Sequence, residues 1–446
     1  MRPRILLLIL LIISIAFPAM AQTMVIDIDQ AMELALENNK QLKMLKVDND
    51  YANLQVKEAY SGAMPVVSAV GNYSRNFIIP EMVTDFVMTD SAGSSIPMSL
   101  RMAMGRENNF YGGITLHQPL WIAGKIGIAI KIAKIYRQIS ETGVEKGEKD
   151  LRLQVTQAFY GALLGKEYKR LTKDAEKQIE SHLKDARAIY AEGLVSEYDL
   201  LRAEVELANF HPQVTAAVEA HKMALEGLRI VLGLAPDTEF EPAGELSEIT
   251  PNDIELEEAV SAAKDSRADF RQLSLQKQML DQLLMIEQRN LYWPSFFLSL
   301  SYTQQAQEDN FAFDDYFWGD GLAAAVSVSV PLFDGFKTKS RIQMAQINLK
   351  KSLLMNSQLE DGVRFEIISS MSRLNEARDK LSASRKAVQQ AGKGYAIAEV
   401  RYQEGISTQV ELLDARLAQT QAQTTELAAR YDLILANASL RNAMGQ

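Results

Sequence analysis

The sequence predicts a mainly helical chain with a smaller share of β structure, built from two copies of one unit. Three observations support this fold class. Residues 125–190 and 337–402 contain no proline and have the mixed apolar and charged composition of long helices. Segments in which apolar and polar residues alternate precede each of these stretches. The same turn motif follows each of them, centred on Gly193 and on Gly405.

This motif predicts two tight helical hairpins. Residues 190–203 read Tyr-Ala-Glu-Gly-Leu-Val-Ser-Glu-Tyr-Asp-Leu-Leu-Arg-Ala, and residues 402–415 read Tyr-Gln-Glu-Gly-Ile-Ser-Thr-Gln-Val-Glu-Leu-Leu-Asp-Ala. Glycine ends a helix well because it adopts the left-handed C-cap conformation at low cost. A candidate N-cap residue and a first-turn acid follow each glycine: Ser196 with Asp199, and Ser407 or Thr408 with Glu411.

The repeat extends over most of the chain. We expect residues 22–232 to form the first structural repeat and residues 253–446 the second, joined by a linker at residues 233–252. Each repeat is expected to contain a helix, a β-hairpin, a long helix and a return helix. The β-hairpins are predicted at residues 65–120 and 294–333, the long helices at 125–190 and 337–402, and the return helices at 196–232 and 408–443. Pro212 is expected to kink the first return helix.

The N-terminus has the composition of a secretory signal peptide at residues 1–21. Arg2 and Arg4 precede an apolar run, and Ala19-Met20-Ala21 is a small-residue cleavage site. The apolar run is shorter than the ~20 residues of a membrane-spanning helix. The chain has no cysteine, so disulfides are excluded, and its net charge of -10 argues against nucleic-acid binding.

The predicted strands have one apolar and one polar face. In the second repeat, Phe296, Leu298 and Leu300 alternate with Ser299 and Ser301. In the first repeat, a polar loop is expected across residues 77–109, between its two strands. Four strands cannot close into a barrel, and open strand edges are not tolerated in lipid. A membrane barrel needs roughly eight or more strands. Several protomers must therefore share one barrel; two would supply eight strands and three would supply twelve.

The duplicated hairpins resemble those of the TolC family of outer-membrane efflux and secretion channels. Pro-Leu-aromatic segments starting at Pro119 and Pro331, and prolines at the strand starts, Pro65 and Pro294, add to the resemblance. It implies a homotrimer with one twelve-stranded β-barrel in the outer membrane of a Gram-negative bacterium and a helical tunnel that extends into the periplasm. It also implies a periplasmic adaptor (membrane-fusion) protein and an inner-membrane pump of RND, ABC or MFS type as partners.

The resemblance also implies site residues in the second hairpin, which forms the periplasmic entrance in that family. By position, Glu411 and Asp414 match the acids that form a ring around the pore. Tyr402 matches a gating tyrosine, and Asp199 matches the acid in the first hairpin that accepts the hydrogen bonds of the closed gate. Glu411 is longer than the usual aspartate, and Ser407 stands where some members have a latching arginine. The helical spacing is consistent with the implied acid ring, because Glu411 and Asp414 face the same side of a helix. Rings of acidic side chains select cations. Acids at a solvated helix start are the other interpretation.

The hairpin tips are the expected contacts of the adaptor: Gly193, Leu194, Val195, Gly405, Ile406 and Ser407. Substrate would pass through the channel passively, without covalent chemistry. The alternative hypothesis is a periplasmic coiled-coil spacer or adaptor that forms no pore. Adaptors usually carry a β-rich lipoyl-like segment, and the sequence shows none.

No catalytic or cofactor-binding motif is evident. The four histidines, His117, His182, His211 and His221, lack metal-ligand spacing, and no phosphate-binding loop or nucleophile elbow is present. We therefore predict a protein that is not an enzyme and that uses no cofactor. The loop after the first strand holds five methionines: Met82, Met88, Met98, Met102 and Met104. Methionine binds soft metals, but a flexible loop is the commoner explanation, so no metal site is assigned.

Overall fold

The computed structural model describes residues 24–89, 93, 95–193, 195–246, 251 and 253–446. The predicted signal peptide and Leu194 lie outside the described residues. The described chain is predominantly helical, which confirms the predicted class. Its helices are α1 (Ile28–Asn38), α2 (Lys40–Ser61), α3 (Lys125–Ala191), α4 (Glu197–Leu232), α5 (Leu256–Ser266), α6 (Ala268–Arg289), α7 (Lys337–Gln403) and α8 (Gln409–Ala443). None of the helices in this part of the chain combines the length and apolar character that crossing a membrane requires.

The described residues contain eight strands, where the sequence predicted four. They are β1 (Met24–Ile26), β2 (Val66–Arg75), β3 (Glu81–Thr89), β4 (Ser95–Ala103), β5 (Asn108–Ile122), β6 (Phe240–Pro242), β7 (Ser295–Glu308) and β8 (Gly319–Ser329). One four-stranded antiparallel sheet has the order β2-β5-β7-β8, while β1 pairs in parallel with β6. The expectation of a loop across residues 77–109 is wrong, because β3 and β4 pair there in an antiparallel ribbon.

The register of the four-stranded sheet separates apolar from polar side chains. One row across the sheet consists of Ala69, Ile114, Tyr302 and Leu322, and the adjacent row contains Ser68, Thr115 and Ser301. Directly opposed residues share a face, and neighbouring rows point to opposite faces. The sheet therefore has one mainly apolar face and one face of small polar residues. Its outer strands, β2 and β8, each have one strand partner among the described residues.

The chain divides into two compact units, and each unit contains segments from both predicted repeats. Residues 140–273 and 355–446, together with the N-terminal segment, form the first unit, and Asp50–Ile139 and Ser274–Leu354 form the second. Two of the core clusters of the first unit contain the sequence-related pairs Ala31/Ala35 and Ala259/Ala263. All four alanines are fully buried. Small side chains at these positions let neighbouring helices approach closely.

The first repeat begins with two helices, α1 and α2, where the sequence predicted one, because the helix breaks at Asn39. The backbone of Asn39 leaves the helical conformation, with ψ at 127°. Its side chain accepts a hydrogen bond from the Leu42 amide at 3.0 Å and donates to the Val231 carbonyl at 2.9 Å. Asn39 thus caps the start of α2 and ties it to α4, which offsets the lost helical bonds.

The equivalent break in the second half lies at Arg267, between α5 and α6. Only 14% of its side chain is exposed. The guanidinium donates to Asp269 at 2.8 Å, to Glu366 at 2.8 Å and to the Ala443 carbonyl at 2.9 Å. One arginine therefore connects the start of α6, the middle of α7 and the last residue of α8.

Candidate functional site

The first hairpin turn joins α3 to α4 through Gly193. Its φ is +72°, and its amide donates to the Tyr190 carbonyl at 2.9 Å. Ser196 is the N-cap of α4: its hydroxyl accepts from the Asp199 amide at 3.2 Å. The Asp199 carboxylate accepts in return from the Ser196 amide at 3.4 Å and from its hydroxyl at 2.7 Å. This reciprocal capping box fixes the start of α4 and occupies the Asp199 carboxylate.

The second hairpin turn joins α7 to α8 through Gly405, whose φ is +69°. The Gly405 amide donates to the Tyr402 carbonyl at 3.0 Å, and the Ile406 amide donates to the Arg401 carbonyl at 2.8 Å. These two bonds form the Schellman motif, which requires a left-handed residue at the position of Gly405. A Cβ at this glycine would have no neighbour within 4 Å, so the glycine meets a conformational need and leaves the tip open.

Of the two candidate N-caps of α8, the structure selects Thr408. Its hydroxyl accepts from the Glu411 amide at 3.4 Å, while the Ser407 hydroxyl is buried and has no hydrogen-bond partner among the described residues. The Glu411 carboxylate does not reach back to the cap. It lies 3.9 Å from the Arg401 guanidinium, and both side chains are about half exposed. The acid of the second hairpin is thus free of the capping role that Asp199 has in the first.

The two predicted pore acids lie on one exposed side of α8. Glu411 and Asp414 are both exposed, and the residues between them, Leu412 and Leu413, are buried. Since three residues nearly complete a helical turn, both carboxylates point the same way. In the single chain, neither is covered by another element.

The turn residues predicted to contact a partner are mostly accessible. Gly193, Gly405 and Ile406 are exposed, and Val195 and Ser407 are partly buried. Ile406 is an apolar side chain with 67% of its surface exposed. The second tip therefore presents an uncovered aliphatic group beside a glycine turn.

Tyr402 and Asp199, the predicted gate pair, line one cavity between the two hairpins. This cavity has a volume of about 810 Å³ and is lined by residues of α3, α4, α7 and α8. Burial raises the pKa of the Tyr402 phenol, and the negative charges of Asp199 and Asp185 raise it further. Their side chains are not hydrogen-bonded to each other among the contacts of the described residues. The structure thus brings the pair together but leaves the predicted bond unmade in one chain.

A buried histidine links the two hairpins in this cavity. His182 of α3 is 6% exposed, and its Nε2 lies 3.1 Å from Nε2 of Gln409 at the start of α8. With the amide nitrogen of Gln409 as the donor, the imidazole nitrogen is the acceptor, as it is in a neutral ring. The ring also makes an edge contact with Tyr402, at 5.4 Å between centroids. Burial and the charge of Arg416 lower the pKa of His182, and Asp185 acts in the opposite direction.

Buried atoms of two charged side chains at this junction, Arg416 and Glu206, lack hydrogen-bond partners among the described residues. Arg416 is 6% exposed, and its Nε and Nη1 have no partner among the described residues. Its guanidinium lies 5.9 Å from the Tyr395 ring centre. Burial raises the pKa of the Glu206 carboxyl, although the charges of Arg416 and Arg202 lower it, and its Oε2 is also unpartnered. Unpaired buried polar groups are costly, so the hairpin junction is less stable than its packing alone would make it.

Sequence reasoning missed this polar junction. His182 was set aside because it lacks metal-ligand spacing, yet its partner Gln409 lies in the other half of the chain. The sequence feature that indicates this junction is the helical spacing of Gln409 and Arg416, which are seven residues apart and therefore lie on one face of α8. Among the described residues, no group of three or more histidine and acidic side chains is arranged to hold a metal ion.

Comparison with known proteins identifies the family. The sequence profile of the outer membrane efflux protein family matches residues 31–234 and 259–446. These two segments cover most of the chain, and the chain belongs to this family. It is accordingly an outer-membrane efflux channel, and its location is the outer membrane.

Two relatives illustrate the range of the family. Protein CyaE of Bordetella pertussis is 27% identical over 344 residues, which cover 76% of this chain and 69% of that protein. The cobalt-zinc-cadmium resistance protein CzcC of Cupriavidus metallidurans is 23% identical over 342 residues, which cover 71% of this chain and 75% of that protein.

Solved outer-membrane proteins share the fold. The CmeC outer membrane channel of Campylobacter jejuni superposes with a TM-score of 0.71 at 18% identity, covering 94% of this chain and 85% of that channel. The outer membrane protein VceC of Vibrio cholerae superposes with a TM-score of 0.70 at 17% identity, covering 94% and 96% respectively. At these identities the likeness concerns the fold.

Proposed function

We propose that the protein is the passive exit duct of a tripartite efflux pump or type I secretion system, and that it works as a homotrimer. The observation that carries this proposal is the four-stranded sheet with two open outer strands, β2 and β8. Its apolar face suits lipid and its polar face suits a water-filled lumen. Three copies joined edge to edge would supply a closed twelve-stranded barrel with no free edge, which is the arrangement that lipid requires.

The gate of this duct lies at the helical hairpins. In a trimer, Glu411 and Asp414 would form a ring of six carboxylates around the three-fold axis, because both face one exposed side of α8. Such a ring favours cations and opposes anions in a narrow opening. Tyr402 and Asp199 lie at the junction of the two hairpins, where a change in their separation accompanies opening.

Opening follows when a periplasmic adaptor protein binds the hairpin tips. The exposed glycine turns and the uncovered Ile406 side chain provide the contact surface. Binding there separates the second hairpin from the first and widens the acidic ring. An inner-membrane pump of RND, ABC or MFS type selects the cargo and supplies the energy, since a passive duct does neither.

Single-channel conductance in a planar lipid bilayer tests this function. We expect the purified protein to give small, cation-selective openings. The double variant Glu411→Gln, Asp414→Asn should keep the openings and lose their cation selectivity, because it removes charge and preserves side-chain size. A matched control, Glu404→Gln, neutralises an exposed acid just before the tip glycine and outside the proposed ring.

The possible results separate the channel from the site. If the cation selectivity of the openings is unchanged in the double variant, the protein is a channel, but Glu411 and Asp414 do not form its selectivity filter. A protein that is soluble without detergent and gives no openings would contradict the duct itself and favour a periplasmic spacer.

A further inference from the structure

The ribbon of β3 and β4 is a feature that the proposed duct does not use. It connects β2 to β5, and in the described chain its two strands pair only with each other. Its base is held by backbone hydrogen bonds: the Asn76 amide donates to the Glu107 carbonyl at 2.7 Å, and the Met104 amide donates to the Pro80 carbonyl at 2.8 Å. The segment is therefore an ordered β structure with a defined register.

This register places all five of its methionines on one face. Met82 lies opposite Met102, Met98 lies opposite Phe86, and Met88 lies opposite Ile96. Met104 continues the alternation from Met102. Opposed residues share a face, as do alternate residues along one strand. The other face carries mostly polar residues, such as Asp85, Ser99 and Arg101, so the methionines lie on the apolar face of the ribbon.

Three of the five methionines cluster at the base of the ribbon. Directly opposed residues such as Met82 and Met102 have Cβ atoms roughly 4.5–5.5 Å apart. Met102 and Met104 are alternate residues of one chain and lie about 7 Å apart. Each of the three side chains is about half exposed. Methionine has three rotatable side-chain bonds, so the three sulfur atoms are free to converge on one ion from solvent.

We propose that Met82, Met102 and Met104 form a three-thioether site for a soft monovalent cation, Cu(I) or Ag(I). Thioether sulfur selects soft ions, whereas carboxylate and carbonyl oxygen select Mg²⁺, Ca²⁺ and Mn²⁺. The acids of the ribbon lie on its opposite face, where Asp85 accepts a hydrogen bond from Ser99 at 2.6 Å. The proposed site therefore has sulfur ligands alone and excludes hard cations. It does not depend on the proposed duct.

Silver titration of the full chain in detergent tests the site without redox chemistry. Protein labelled with ¹³C at the methionine methyl groups would be titrated with AgNO₃ in a chloride-free buffer and followed by NMR. We expect one Ag⁺ per chain and shifts confined to the methyl signals of Met82, Met102 and Met104. Single substitution of each by leucine should weaken binding by roughly 100-fold, because each tethered ligand acts at a high effective concentration.

Several controls keep the test decisive. Leucine preserves size and apolar character, so the ribbon should stay folded, and unchanged methyl signals of Met88 and Met98 would show that it does. Met223→Leu, at an exposed methionine of α4, should leave binding unchanged. Zn²⁺ should produce no shifts. Equal Ag⁺ affinity in the triple leucine variant, shifts at Met88 and Met98 instead, or a response to Zn²⁺ would overturn the proposal.

Discussion

We take the arrangement in which His182 joins the two hairpins as the closed state of the proposed gate. Protonation of His182 is then expected to favour opening, because the ring accepts the Gln409 hydrogen bond in its neutral form. Burial and Arg416 hold the pKa of His182 below its ordinary value near 6.5, against the opposing effect of Asp185. When the hairpins separate, the ring becomes solvated and recovers the ordinary value. The closed state therefore binds fewer protons than the open state, and its stability falls as the pH drops below that ordinary pKa.

The size of this response follows from one titrating ring per chain. One proton changes the ratio of open to closed states by at most about tenfold per pH unit and per chain. A 180° rotation of the Gln409 side-chain amide would let its oxygen accept a hydrogen bond from the protonated His182 ring. The effect therefore rests on the buried positive charge beside Arg416 rather than on loss of that bond.

Glu206 should act in the opposite direction. Burial raises the pKa of its carboxyl in the closed state, so the closed state takes up a proton that the solvated carboxyl would release. Acid therefore stabilises the closed state through Glu206 and destabilises it through His182. The two substitutions His182→Gln and Glu206→Gln form a matched pair with opposite expected effects.

The assay is the open probability of single channels as the pH is lowered from about 7.5 to about 5.5, the range in which histidine titrates. We expect acid to raise the open probability of the wild-type channel. His182→Gln should abolish that rise, since glutamine bonds to Gln409 and carries no charge, and Glu206→Gln should enlarge it. An unchanged acid response in His182→Gln would refute the reasoning.

Three further predictions concern stability, measured by thermal unfolding in detergent. Gly405→Ala should lower the free energy of unfolding by more than about 1 kcal/mol, because Gly405 has a positive φ. Gly394→Ala should raise it by about 0.5–1 kcal/mol, because Gly394 lies inside α7 and has no neighbour within 4 Å of its Cβ position. Equal effects of the two substitutions would contradict the capping role of Gly405. Pro212→Ala should raise stability by up to about 3 kcal/mol because Pro212 lies inside α4; a loss would show that α4 needs the proline. Arg267→Met should cost about 1.5–3 kcal/mol, since Asp269 loses its arginine but keeps its ion pair with Lys146 at 2.7 Å. A neutral result would contradict the proposed role of Arg267.

The long helices and the main sheet were predictable because their signals are local. The absence of proline from the long stretches and the glycines at their ends place α3 and α7, which stop at Ala191 and Gln403, each two residues before its glycine. Strict alternation from Phe296 onward indicates β7. Each of these signals can be read within a few neighbouring residues.

The ribbon was missed because its pattern is not strictly alternating. Val83 and Val87 interrupt the period of two in β3, and β4 contains a proline, Pro97, which is uncommon within strands. Proline is tolerated there because, among the described residues, β3 is the one strand that pairs with β4. The polar junction was missed for another reason: His182, Gln409 and Arg416 are ordinary helix residues until packing of the two halves brings them together.

The two hairpins differ in their helix caps, and this difference determines which of the two first-turn acids can be substituted without loss of the cap. The Asp199 carboxylate is bound to its own helix start, so replacing it would remove the reciprocal half of the capping box and weaken the start of α4, along with any other role it has. The Glu411 carboxylate has no such capping role, because Thr408 caps α8 without a reciprocal bond from it. The second acid can therefore vary in length or charge while its helix stays intact. The duplicated motif therefore has one acid whose carboxylate caps its own helix and one acid whose carboxylate does not.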